Sequence, residues 1–335
     1  MDYVIHGAGG IGCVLAARLI GIDKSVAVIA RGPHLEALRN NGLTLTGMTD
    51  SHQRVEAFGH PDEVDIDDDT VVMLTMKTND TEAALDAAGA RYDGLALICL
   101  QNGVHNERIC AERGLNGYGA VVLCGGRILE PGKVVHTAGS RFDIGALPRG
   151  VDEVCERVVD DLVAAGLKGH THEEIMAAKW AKLVRNLNNA TLALTDLPIQ
   201  VANRFEESRR FMADVTAEAL DVLEAGGVEL EPAGRRTPRE EVARMREPGE
   251  FTHIEIPEDP EKLARPSTWQ DLHFQRGQVE VEYFNGEIVR LGERLGIATP
   301  LNHTVMERCL AAAAAKELPG GETIESLRAT AGVPA

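Results

Sequence analysis

The sequence predicts a two-domain α/β protein, with an N-terminal parallel sheet covered by helices and a mostly helical C-terminal domain. Short apolar runs such as YVIH, SVAVIA and VVMLTM alternate with helical stretches through the first half of the chain. This alternation is typical of a parallel sheet with helices on both faces. After residue 150 strand signals stop and a 3.6-residue periodicity dominates. We place the domains at 1–168 and 169–335.

Composition narrows the class of protein. A length of 335 residues suits two domains, because single cores stop growing at roughly 250–300 residues. The net charge of −18 disfavours binding to nucleic acid or anionic lipid, and no run is long enough to span a membrane. The six scattered cysteines indicate reduced cytosolic thiols. These features predict a cytoplasmic protein. His170 and His172 lack zinc-site spacing, so we predict no metal site.

Periodicity and turn residues place the individual elements. The N-terminal domain is predicted to contain helices near 10–21, 33–40 and 79–90, and antiparallel strands over 119–146 separated by PGK and AGS turns. Helical patterns follow at 151–166, 172–190, 204–226, 276–296 and 302–316. The segment 231–266 is rich in charge and proline and reads as a long excursion with one short helix. It is either a lid or a solvated surface insertion.

A glycine-rich motif, GAGGIG, follows the first apolar strand directly and opens an amphipathic helix. In this context Gly7 makes a tight turn, Gly9 lets the backbone approach a pyrophosphate, and Gly12 permits close packing of helix on strand. The helix N-terminus supplies free N–H groups for the phosphates. We therefore predict a Rossmann-type dinucleotide site formed by six residues: Gly7, Ala8, Gly9, Gly10, Ile11 and Gly12.

The position that selects between NAD and NADP holds Arg31. An NAD site would place Asp or Glu near the end of the second strand, to bind the ribose 2′-hydroxyl. A guanidinium instead binds a phosphate with two hydrogen bonds. The sequence thus favours NADPH as cofactor, with an incidental surface charge as the alternative interpretation of Arg31.

Two further loops follow predicted strands. TMKTND places Lys77 after VVMLTM, and LQNG places Gln101 and Asn102 after LALIC. Ligands of open α/β sheets bind at the carboxyl ends of the strands, so we predict that both loops contact the cofactor. For Lys77, a loop that only caps the next helix is an equal alternative.

The stretch KWAKLVRNLNNA, residues 179–190, places three asparagines in a predicted helix, where asparagine is unfavourable. Lys179, Lys182, Asn186 and Asn189 fall at spacings of 3, 4 and 3 and form one polar stripe. A surface helix would explain the lysines but prefers other residues to asparagine. We infer that the side-chain amides of these asparagines are needed to form hydrogen bonds with a specific partner.

An acidic residue lies at the N-terminal end of the apolar face of the predicted helix 276–296. Phe284, Ile288, Leu291 and Leu295 form an apolar row, and extending it back by four residues reaches Glu280. A buried acid needs a cation or several donors, and Lys182 is the candidate partner, although a half-buried structural salt bridge is the alternative. A lysine can protonate the oxygen of a carbonyl that receives a hydride. Lys182 and Glu280 are therefore the predicted catalytic residues.

Together these residues resemble the ketopantoate reductase (2-dehydropantoate 2-reductase) family. The similarity extends over GAGGIG, ARGPHLEALRNNGL, MKTND, LQNG, KWAKLVRNLNNA and PSTWQDL with the RGQVEVEYFNGEIVRLGERLGIATPLN that follows. It implies a Rossmann domain and an all-helical domain like the C-terminal domain of 6-phosphogluconate dehydrogenase. It also implies NADPH-dependent reduction of ketopantoate to pantoate in pantothenate biosynthesis, and allows a homodimer.

By motif position, Lys182 is similar to the family's catalytic lysine and Glu280 to its substrate-binding glutamate. Asn186 and Asn102 resemble asparagines that contact substrate and cofactor, and Ser267 resembles a serine near the substrate carboxylate. Ala190 stands where the family often has a second asparagine. Another 2-oxo acid or an imine is therefore an alternative substrate, and a non-catalytic NADP-binding redox sensor is an alternative function.

Overall fold

The computed structural model describes residues 1–232 and 236–334, and the chain forms two compact units, Met1–Lys179 and Trp180–Ala335. The division falls inside a helix, Ile175–Asn186. The domain boundary at 168/169 stays a prediction. None of the helices in these described ranges is long and apolar enough to cross a membrane.

The first unit contains one ten-stranded mixed sheet. Its strands are β1 (Tyr3–His6), β2 (Val26–Ile29), β3 (Leu43–Gly47), β4 (Ser51–Gln53), β5 (Glu56–Phe58), β6 (Val71–Leu74), β7 (Ala96–Cys99), β8 (Gly117–Glu130), β9 (Lys133–Ala146) and β10 (Lys168–Thr171). The order in space is β4-β3-β9-β8-β7-β6-β1-β2-β5, and β10 pairs with β9. Because β7, β6, β1 and β2 are mutually parallel, the predicted α/β class is confirmed.

Fourteen helices complete the described chain. They are α1 (Gly10–Ile20), α2 (Gly32–Asn41), α3 (Thr81–Ala88), α4 (His105–Glu112), α5 (Glu153–Ala164), α6 (Ile175–Asn186), α7 (Asn188–Leu194), α8 (Ile199–Arg204), α9 (Glu206–Ala225), α10 (Pro238–Met245), α11 (Ser267–His273), α12 (Asn285–Leu295), α13 (Pro300–Ala314) and α14 (Ile324–Ala331). Helices α1, α2, α3, α5, α9 and α13 match predicted ones within a few residues. The helix predicted over 172–190 is instead interrupted, between α6 and α7.

The central strands are apolar throughout because both faces of the sheet are covered. All four residues of β1 are buried. Tyr3 and Ile5 pack into one hydrophobic core, which includes α1 and α5, while Val4 packs into a second core on the other face. This pattern of short continuous apolar runs is what parallel strands between two helical layers require.

The antiparallel part of the sheet differs from prediction in two places. The AGS segment was expected to be a turn, but β9 runs through it, with Gly139 at φ +62° and a register shift opposite Leu123 and Cys124. Such a shift is a β-bulge, which glycine accommodates at positive φ. Strand β10 lies after residue 150, in the part of the chain where no strand was predicted. The sequence did not reveal it, because its four residues KGHT lack an apolar pattern.

The second unit is helical in its described part, and the prediction of one short helix within 231–266 is confirmed by α10. Thr237 caps α10, and Glu240 bonds back to the backbone of Thr237 in a capping box. Fully buried Arg209 of α9 donates to the carbonyl oxygens of Met245 (2.9 Å) and Gly249 (2.8 Å), which ties the end of α10 to α9. A lid function stays a prediction, and residues 233–235 lie outside the described ones.

Candidate active site

The glycine-rich turn after β1 meets three different steric demands. Gly7 adopts φ +109°, and a Cβ there would lie 2.4 Å from the backbone nitrogen of Met76. A Cβ on Gly12 would lie 2.4 Å from the carbonyl oxygen of Gly7, so α1 packs against β1 only without a side chain at this position. Around Gly9, in contrast, a Cβ would meet no described atom within 4 Å. The open backbone at Gly9 fits the close approach of a pyrophosphate.

The first turn of α1 also packs against β8, which the motif did not predict. A Cβ on Gly10 would lie 2.1 Å from the carbonyl oxygen of Gly126, and one on Gly126 would lie 2.5 Å from that of Gly10. These two backbones therefore touch directly, and both positions require glycine. Of the remaining motif residues, Ala8 is buried and Ile11 half-buried.

Hydrogen bonds connect the loops at the carboxyl ends of β1, β6 and β7. Thr75, after β6, donates from its hydroxyl to the carbonyl oxygen of Gly7 at 2.6 Å. Gln101, after β7, donates from Nε2 to Thr81 Oγ1 at 3.2 Å and lies 3.3 Å from the sulfur of Met76. The structure thus brings together the three loops that the sequence assigned to the cofactor. Within the described residues Gln101 serves to join loops, and its buried Oε1 has no hydrogen-bond partner.

Arg31 lies after β2 as the N-cap residue of α2, and its side chain is 83% exposed. One guanidinium nitrogen lies 2.8 Å from Oδ2 of Asp80, in the loop after β6. Lys77, half-buried, precedes a 3₁₀ turn at Thr78–Asp80 in the same loop. The ion pair with Asp80 was not predicted, although the acid lies within the quoted MKTND motif.

His6 ends β1, directly before the glycine-rich turn. It is buried, and Tyr92 Oη lies 3.0 Å from its Nδ1. Burial is the main reason that the pKa of His6 is lowered to about 4. The imidazole is therefore neutral at physiological pH and adds no charge beneath the turn.

The other predicted site residues lie in the second unit. Lys182 is on α6, and Asn186 is its last residue; both are half-buried. Ser267 is the first residue of α11 and is exposed. Glu280 is half-buried. Their roles stay predictions.

Glu280 does not lie on a helix, which corrects the prediction for 276–296. Helix α12 begins at Asn285, and Glu280 precedes a 3₁₀ turn at Val281–Tyr283. Phe284 breaks the helical path with φ −119° and ψ −86°, so counting back four residues from it does not follow a helix face. The apolar row also ends early, because Leu295 is 40% exposed.

The polar residues of 179–190 divide between different environments. Lys179 was predicted to belong to a polar stripe with Lys182, but it is buried and pairs with Glu107 of α4. Asn188 is also buried and donates from Nδ2 to the carbonyl oxygen of Met212 (3.2 Å) and to Thr216 Oγ1 (3.1 Å) of α9. One of the three asparagines therefore packs α7 against α9.

Across residues 1–232 and 236–334, no three His, Cys, Asp or Glu side chains are grouped so that they could hold a metal ion. The six cysteines are free thiols.

The fold and the glycine-rich turn define a dinucleotide-binding protein. Residues 3–149 match the family model described as ketopantoate reductase PanE/ApbA, and residues 174–312 match the model for the C terminal of the same family. The chain belongs to the ketopantoate reductase family, whose members are oxidoreductases.

Individual relatives agree with this assignment over most of their length. A 2-dehydropantoate 2-reductase of Archaeoglobus fulgidus is 30% identical over 90% of this chain and 94% of its own. The corresponding protein of Pyrococcus abyssi is 26% identical over the same shares. Among solved structures, a PanE/ApbA family ketopantoate reductase of Ralstonia eutropha is 28% identical, with a TM-score of 0.79 over 94% of this chain and 99% of that one. A D-mandelate dehydrogenase in complex with NADH and anilino(oxo)acetate shares the fold at 22% identity and a TM-score of 0.79, over 94% and 99% of the two chains.

Proposed function

We propose that this protein uses NADPH to reduce a 2-oxo acid to a 2-hydroxy acid, and that the substrate is 2-dehydropantoate. The relatives from Archaeoglobus fulgidus and Pyrococcus abyssi, both named 2-dehydropantoate 2-reductase, support this assignment. When bound, the nicotinamide cofactor supplies the hydride for the carbonyl carbon.

The observation that carries the proposal is the open backbone at Gly9. Packing and backbone conformation within the protein explain Gly7 and Gly12, whereas the open space beside Gly9 has no such explanation within the described residues. This space fits a pyrophosphate, which the N–H groups at the start of α1 would bind. Arg31, exposed at the end of β2, would bind the 2′-phosphate of NADPH with its guanidinium.

The protein's own residues would supply the proton and the orientation. Lys182 would donate a proton from Nζ to the carbonyl oxygen as that oxygen gains negative charge. Glu280 would orient this ammonium or accept a hydrogen bond from a substrate hydroxyl. Asn186 and Ser267 would hydrogen-bond the substrate, and Asn102 the substrate or the carboxamide of the cofactor.

Turnover of a panel of 2-oxo acids, followed by the absorbance of NADPH, tests the proposal. Lys182→Ala should lower kcat by roughly 100-fold or more, the usual scale for loss of a general acid, while NADPH affinity stays nearly unchanged. Lys262→Ala is the matched control, because Lys262 is a 73% exposed lysine of the same unit. Unchanged kcat in Lys182→Ala would remove this lysine from the proposed role. Tight NADPH binding without turnover of any oxo acid or imine would favour a redox sensor.

A further inference from the structure

A buried ion pair lies beneath the loop that carries Asn102. Nζ of Lys179 is 2.5 Å from Oε1 of Glu107, and their side chains are 2% and 3% exposed. The same ammonium donates to the carbonyl oxygens of Gln101 (3.0 Å) and Ala120 (3.2 Å). One cation therefore joins the segment after β7, strand β8 and helix α4.

Stabilisation of the fold does not by itself explain this buried ion pair. Burial raises the pKa of Glu107, and the nearby ammonium of Lys179 offsets only part of this effect. Apart from the Lys179 ammonium, neither carboxylate oxygen of Glu107 has a hydrogen-bond donor within the described part of the chain. Replacing such a pair by apolar side chains is often neutral or stabilising. A role in geometry explains these charges better than a role in stability.

The contacts fix the backbone on both sides of Asn102. Lys179 holds the carbonyl oxygen of Gln101, directly before it. After it, Asn106 donates from Nδ2 to Thr78 Oγ1 (3.2 Å) and accepts from Thr81 Oγ1 (2.8 Å). Between these anchors the half-buried side chain of Asn102 has no hydrogen-bond partner among residues 1–232 and 236–334. The loop is held firmly while its central amide stays available for a ligand.

We propose that Lys179 and Glu107 are positioning residues that hold Asn102 in the orientation needed to bind the substrate carbonyl region or the nicotinamide carboxamide. This inference rests on the proposed function, in which Asn102 contacts one of these two groups. Lys179 and Glu107 touch neither group in this proposal, because both are buried within the first unit.

The first test is the paired replacement Glu107→Leu with Lys179→Met, which removes both charges together. We expect kcat for the 2-oxo acid to fall about 10- to 100-fold, with little change in KM, because a misoriented amide costs most in the transition state. Combining the pair with Asn102→Ala should give no further loss beyond Asn102→Ala alone. Wild-type kcat in the paired variant, or losses that multiply in the triple variant, would overturn the inference.

The second test needs no turnover. Amide hydrogen exchange of the cofactor-free protein should become at least about tenfold faster over residues 100–107 in the paired variant, with no loss of global stability. Asp161→Asn is the matched control: it removes an ion pair with Lys24 in the same unit (2.8 Å), and it should change neither kcat nor this exchange. Unchanged exchange over 100–107 would refute the positioning role. If the wild-type protein reduces no 2-oxo acid, the proposed function fails, but the exchange measurement still decides whether the pair orders this loop.

Discussion

The strongest test of the dinucleotide site is a comparison of alanine at Gly9 and at Gly10. Gly9 has φ −79° and ψ −167°, an extended conformation open to any residue, and a Cβ there has 4 Å of free space. We expect Gly9→Ala to leave the free energy of unfolding unchanged, or to raise it by about 0.4–1 kcal/mol through the unfolded state. The added methyl group would stand where the backbone must approach the pyrophosphate, and should weaken NADPH binding at least about tenfold, or about 1.4 kcal/mol.

Gly10→Ala should behave in the opposite way. Its Cβ would lie 2.1 Å from the carbonyl oxygen of Gly126, whereas ordinary contact begins at 3.4 Å, so the backbones must separate by 3.4 − 2.1 = 1.3 Å. Overpacking of this kind costs about 1–3 kcal/mol, and it should appear in the protein without cofactor.

Two measurements separate these effects. Urea unfolding without cofactor gives the stability of each variant, and titration with NADPH gives its affinity. If Gly9→Ala binds NADPH as the wild-type protein does, the open space at Gly9 is not a phosphate site and the reasoning is refuted. If Gly9→Ala instead unfolds at lower urea concentration, the loss of binding would have a structural cause.

Two further predictions follow from charged or titratable groups near the turn. The pKa of His6 is about 4 in the folded protein against an ordinary 6.5, so the unfolded chain binds the additional proton first. The free energy of unfolding should therefore fall by up to about 3 kcal/mol as pH decreases from 6.5 towards 4. His6→Gln should abolish this part of the pH dependence, measured by urea unfolding. The control His303→Gln, at an exposed histidine, should retain it. Arg31→Asp should weaken the binding of NADPH about tenfold or more, while the affinity for NADH changes little. Asp80→Asn should strengthen the binding of NADPH, because it frees the guanidinium of Arg31. Equal effects on the affinities for both cofactors, measured by direct titration, would refute the 2′-phosphate role.

Local sequence chemistry was sufficient to predict the first strand, the glycine-rich turn and the first helix. The requirement for glycine at Gly12 is set by Gly7 in the same turn, and that at Gly7 by its positive φ and by Met76 after the neighbouring parallel strand β6. Buried parallel strands also give clear apolar runs. The contact of Gly10 with Gly126 was not predictable in the same way, because it depends on where β8 lies in the sheet. The paired glycines Gly125 and Gly126 within a strand were the available signal.

Extrapolating a periodic pattern failed where the backbone left the helix. The row Phe284, Ile288 and Leu291 is buried, but the step back to Glu280 assumed helical geometry through a segment that forms a 3₁₀ turn. Gly277, at φ +74°, also lies within the predicted helix. A periodic pattern fixes which residues share a face only as far as the helix extends.

The asparagines and lysines of 179–190 show why an unfavourable residue type does not by itself reveal a ligand site. Lys179 and Lys182 are three residues apart on α6 and have the same chemistry, yet Lys179 is 3% exposed and Lys182 is half-buried. What distinguishes them is Glu107, whose proximity no helical spacing can reveal. Asn188 likewise bonds to α9, so the unfavourable helix position is explained by packing for that residue. The ligand argument therefore rests on Asn186 and Lys182, and substitution of Asn188 should affect folding before it affects turnover.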